Sequence, residues 1–221
     1  MISNPFVVKD CALIQIATGV KVQTLRELKK ELLTIDEDSI YYHFWGSLLT
    51  PRFREPEFGN DFASWAFHAL HDRTLAERLS VIDPLQYSDI QSLRLALLDV
   101  IDERLDEVEV VPFSSSDQQF NFVKCQIVVF NTQKLIDKPE ELGEAIMSFS
   151  SGSIFYHFID ARRRTKGNID DFRAWLKMFG DRYKKLSTLI SQIDPYFTTL
   201  LELRELLAQT FNDYFKVRKR E

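Results

Sequence analysis

The six residues Ser39-Ile40-Tyr41-Tyr42-His43-Phe44 return 114 positions later as Ser153-Ile154-Phe155-Tyr156-His157-Phe158, with one Tyr/Phe exchange. Each copy sets an imidazole beside a phenol. His43 and His157 are therefore the candidate proton carriers, and Tyr42 and Tyr156 the hydroxyls that could steady a ligand. Nucleophilic chemistry would need a nucleophile beside the histidine, but Ser39 and Ser153, four residues before it in each copy, read as helix caps, and no Glu keeps a fixed spacing. A buried imidazole with a satisfied hydrogen bond is the preferred reading of the pair. His68 and His71 could share a helix face with Asp72, but no H-E-x-x-H pattern surrounds them, so a solvated face is expected and no metal. Cys11 and Cys125 lack a Cys-x-x-Cys or Cys/His companion and read as buried strand residues. Arg162, Arg163 and Arg164, followed by Lys166, are a basic run of the second copy alone. They fit either a small-anion site or an exposed helix end stabilised by the macrodipole.

Further matches keep the same order: Asp61-Phe62 and Trp65 with Asp171-Phe172 and Trp175, Ile82-Asp83-Pro84 with Ile193-Asp194-Pro195, and Leu93-Arg94 with Leu203-Arg204. The chain reads as a tandem duplication, units 1–110 and 119–221 joined by a Pro/Ser-rich linker at 111–118. Gln119–Phe130 is rich in aromatic and β-branched residues and predicts a buried strand, matched by Phe6–Thr18, which Gly19 is expected to end. Thr24 with Glu27 predicts a capping box for the helix Thr24–Leu33, and Pro139 opens its counterpart. Ser39 and Ser153 are expected to cap a third element. Asp61 and Asp171 are expected to cap the next one, a pair of short helices, and a long last helix follows in each unit. Trp65 and Trp175 sit at helical spacing as core aromatics. Arg94 and Arg204, inside leucine-rich helices, are expected to pair with these aspartates.

A lone strand needs a ladder partner, so the two strands are expected to pair, with an extension from Glu107 to Val111. The fold class is α+β, mostly helical, with a small shared sheet; an all-α first unit is the rival. Just 7 Gly argue against a nucleotide cradle, and a net charge of −5 against nucleic acid, despite the basic end Lys216–Arg220. Residues 1–110 hold 11 basic and 19 acidic side chains and the remainder 17 and 14, so the units have opposite sign and are expected to pack together. No apolar run reaches membrane-spanning length and the start lacks a secretory signal, so a cytoplasmic protein with reduced thiols is expected.

With Ser39–Phe44, Asn60-Asp-Phe-Ala-Ser-Trp65 and Leu75-Ala-Glu-Arg-Leu79 in view, the chain resembles an uncharacterised prokaryotic family known as a domain of unknown function. The resemblance implies no catalytic residues. The leading expectation is a non-enzymatic binding or regulatory protein that uses the seam between the two units, without a cofactor. Arg162, Arg163, Arg164, Tyr42 and Tyr156 would contact a protein partner or small anion. The alternatives are an enzyme acting on a sugar or phosphorylated metabolite through His43 or His157, and a structural subunit, including a homo-oligomer.

Overall fold

The computed structural model describes residues 4–49, 57–107, 115–196 and 198–218. Residues 111–114 of the expected linker, and Val108–Val111 of the expected strand extension, lie outside them; Glu107 ends a helix. A long strand β1 (Phe6–Val22) leads into α1 (Leu25–Leu32), α2 (Glu37–Leu49), α3 (Asp61–His68), α4 (Arg73–Ser80) and α5 (Ile90–Glu107). A second strand β2 (Phe120–Ile136) follows, then α6 (Leu142–Ile146), α7 (Ser151–Ile154), a π-helical turn at Phe155–Asp160, α8 (Ala161–Arg164), α9 (Asp171–Lys177), α10 (Lys184–Ser191) and α11 (Leu200–Arg218). β1 and β2 make a two-stranded sheet. Thr132 donates to the Val8 carbonyl and Thr18 to that of Phe122, so numbers rise along one strand as they fall along the other, and the pair is antiparallel. The protein is thus α+β and mostly helical, and residues 8–18 are strand.

The chain folds into two compact units, an N-terminal one of Leu13–Gln126 and a C-terminal one of Met1–Ala12 with Ile127–Glu221. The divisions fall inside the strands and not at the ends of the sequence units. Each compact unit therefore holds a strand segment, Phe6–Ala12 or Phe120–Gln126, that the sequence places at the head of the other copy. In the C-terminal unit Phe6 stacks on Phe172 with centroids 5.2 Å apart, and in the N-terminal unit Phe120 stacks on Phe62 at 5.1 Å. Around them the helices bury leucine and phenylalanine faces, such as Leu25, Leu28 and Leu97 in one unit and Phe158, Phe172 and Phe211 in the other.

Local signals explain most boundaries. Thr24 and Glu27 form the expected capping box. Pro139 opens a single 3₁₀ turn, Pro139–Glu141, that leads into α6. The serine caps lie one turn earlier than expected. Ser150 accepts the Ser153 amide at the start of α7, and Asp36 accepts the Asp38 amide where α2 begins, while Ser39 and Ser153 are buried inside the helices. Likewise Asn60 and Asp170 cap α3 and α9, which leaves Asp61 and Asp171 one residue inside with their carboxylates available for another bond. Gly19 does not end β1. Its φ of +80° kinks the strand, and Gln133 does the same in β2 at +61°. In each case the preceding threonine hydroxyl accepts the next amide but one, which holds the kink and lets the strand continue.

Candidate functional site

A two-stranded sheet leaves each strand an outer edge whose amides and carbonyls have no ladder partner, and buried backbone groups of that kind must be bonded. Side chains from the helices do this here. In the C-terminal unit the Lys9 amide donates to His157 Nε2 at 2.9 Å. Trp175 Nε1 donates to the Asn4 carbonyl at 2.8 Å, and Cys11 Sγ to that of Gly152 at 3.3 Å. In the N-terminal unit the Val123 amide donates to His43 Nε2 at 3.2 Å, Trp65 Nε1 to the Gln118 carbonyl at 2.8 Å, and Cys125 Sγ to that of Asp38 at 3.8 Å. Ser39 Oγ donates to the Val123 carbonyl at 2.9 Å.

The other ring nitrogen is also used. His157 Nδ1 lies 2.7 Å from Asp171 Oδ2, and His43 Nδ1 lies 2.9 Å from Asp61 Oδ2. Because a backbone N–H can only donate, Nε2 must offer its lone pair, so the proton sits on Nδ1 and is given to the carboxylate. A doubly protonated ring would turn an Nε2–H against the strand amide. The histidines are 2% and 4% exposed. Each is a rigid connector from helix to strand, held on its free faces by Phe6 and Phe172 in one unit and by Phe62 and Phe120 in the other. The tryptophans are buried as expected.

The carboxylate partners were not legible from spacing because it differs between the copies: 18 residues from His43 to Asp61, but 14 from His157 to Asp171. The available signal was the Asp-Phe-x-x-Trp pattern itself, kept in both copies where a cap one residue earlier had already filled the capping role.

The C-terminal unit adds charge to this arrangement. Arg164 donates to Asp160, to both oxygens of Asp171 and to the Tyr156 carbonyl, with its guanidinium 3.7 Å from the centre of the Tyr156 ring. Arg163 is also bonded to Asp160, and Arg162 donates to the Phe158 carbonyl and lies over that ring. Burial pushes the Asp171 carboxyl up, but His157 and Arg164 outweigh it and hold the group below its ordinary range. Burial raises the Tyr156 phenol against the opposing pull of Arg164. Burial, with Asp160 and Asp10, pushes the Cys11 thiol up to about 12, far from a reactive thiolate. In the N-terminal unit the residue matching Asp160 is Gly46, whose missing side chain leaves room for the Tyr42 ring.

Other expected roles shift as well. Arg94 donates to the Leu32 and Ile35 carbonyls and Arg204 to the Phe149 carbonyl, not to aspartates; these carbonyls lie at or past the last turns of α1 and α6, where a helix leaves acceptors unbonded. His68 faces Glu57 and His71 faces Asp117, while Asp72 caps α4 and binds Arg104. Among the described residues no three potential metal ligands gather, and no helix is long and apolar enough to cross a membrane.

The model of a family of unknown function, DUF5752, matches residues 3–212. Among solved structures, OrfY from Thermoproteus tenax superposes with a TM-score of 0.83 at 25% identity over 95% of each chain. No match is found among curated proteins.

Proposed function

We propose that the chain, which belongs to the DUF5752 family of unknown function, is a non-enzymatic binding or regulatory protein. The observation that supports this reading is the state of the two histidines. An acid/base catalyst must bring a ring nitrogen within hydrogen-bond reach of its substrate, whereas His43 and His157 already use both nitrogens, one on a carboxylate and one on a strand amide. In this reading they are positioning residues for the strands. Arg162, Arg163 and Arg164 form a cationic surface with Tyr156, already partly neutralised by Asp160 and Asp171.

A panel of sugar phosphates and small carboxylates, screened by thermal shift and by proton and phosphorus NMR of the same mixtures, tests this. A compound that raises the melting temperature and is recovered intact supports binding. Turnover of any of them that disappears in His157→Gln or His43→Gln overturns the reading in favour of an enzyme.

A further inference from the structure

Within the C-terminal unit, α10 and α11 flank a surface groove of about 650 Å³. We infer that this groove binds a small amphiphilic anion: an apolar body of roughly ten carbons carrying one carboxylate, sulfonate or phosphate head. The inference rests on the binding reading above and gives it a place and a ligand class.

The helices bury Leu186 and Ile190 from α10, and Leu207, Phe211 and Phe215 from α11. The stripes next to these, about 100° round each helix, line the groove. From the turn before α10 comes Arg182, and from α10 itself Lys185 and Leu189; from α11 come Thr210, Tyr214 and Val217. Leu189 is 37% and Val217 56% exposed, so this apolar wall takes no part in the core. Two cations stand on the same stripe as Leu189, three to four residues apart, which places the head group one to two helical turns from the apolar body. The acidic lining residue Asp213 lies 3.8 Å from Lys216, and Arg182 lies 3.7 Å from Glu140. Lys185 supplies the main attraction. The volume is in the range of small-ligand sites.

The N-terminal unit shows what the same helix pair looks like when it is closed. At the matched positions Arg78 replaces Leu189, Arg104 replaces Tyr214, Glu107 replaces Val217 and Thr74 replaces Lys185. There Arg78 and Glu107 meet at 2.8 Å, Arg104 and Glu107 at 3.1 Å, and Arg104 and Asp72 at 2.8 Å, tying α4 to α5. The C-terminal unit has an apolar wall in place of this ion-pair network, with Lys185 beside it where the N-terminal unit has Thr74. Together they suit an amphiphile whose charge is negative.

The test is a fluorescence titration of the full chain with 8-anilinonaphthalene-1-sulfonate, followed by displacement with dodecanoate or with uncharged dodecanol. One saturable site, displaced by dodecanoate and poorly by dodecanol, is expected. Lys185→Glu and Leu189→Asp, both at exposed positions, should each weaken binding about tenfold or more with unchanged circular dichroism and melting temperature. Saturable binding that is equally tight in both variants, or no saturable binding, overturns the groove. Neither result bears on whether a substrate is turned over, so the failure of this inference is distinguishable from failure of the binding reading.

Discussion

Replacing His157 by Phe separates the connector role of the histidine from any chemical one. The phenyl ring keeps the volume and the contact with Phe6, now 4.8 Å between centroids, but it removes both polar bonds. The Lys9 amide loses its acceptor at 2.9 Å, and a buried donor left unbonded costs about 1–3 kcal/mol. Asp171 loses the ring donor at 2.7 Å, a charge-assisted bond of about 1.5–3 kcal/mol, but keeps Arg164 at 3.0 Å. A local loss of about 3 kcal/mol follows. Amide hydrogen exchange followed by NMR reads it directly: Lys9 should exchange about a hundredfold faster than in the wild type. Val123, bonded to His43 in the other unit, should be unchanged. His43→Phe should reverse the pattern, and at Asp61 the loss should be smaller, because this carboxylate is 32% exposed against 19% for Asp171 and can regain water. Equal protection of Lys9 in wild type and His157→Phe would refute the assignment of the ring as its acceptor.

Gly152→Ala should destabilise the C-terminal unit by about 3 kcal/mol in urea denaturation, since a Cβ there would lie 2.2 Å from the Cys11 carbonyl oxygen, a backbone atom that cannot step aside. Asp170→Asn should be tolerated, because Asn60 caps the matching helix. Asp170 is fully buried, and burial raises its carboxyl above the ordinary value. Its folded value thus exceeds its unfolded one, so its contribution is most favourable when protonated and is lost as pH rises through the folded value. The Asn variant should therefore gain on wild type from about pH 4 upwards, with parallel stability curves counting against it; the opposite shift of Asp171 is common to both proteins and cancels. Cys11 should resist iodoacetamide at pH 8 until the protein unfolds, as mass spectrometry of the labelled chain would show.

The helices were legible because their information is local. The capping box of α1, the short paired helices after Asn60 and Asp170, and the long leucine-rich α5 and α11 all follow from spacing and end residues. The serine and aspartate caps differ from expectation by one to three residues because two acceptors compete at each start, and the nearer one to the apolar run is not always the one that turns outward. Gly19 read as a stop because a positive φ looks the same in sequence whether it kinks a strand or ends it.

The main helices, the two strands and the candidate residues His43, His157, Tyr42 and Tyr156 could be read from the chain alone, since periodicity and residue type are properties of neighbours in sequence. Which groups the two histidines bond is a matter of tertiary packing. The amide that each histidine accepts comes from a strand 148 or 80 residues away, and its carboxylate from a later helix across a connection of unequal length. No local pattern carries a bond between groups so distant, because it exists only once the strand edge has been laid against the helices that must satisfy it.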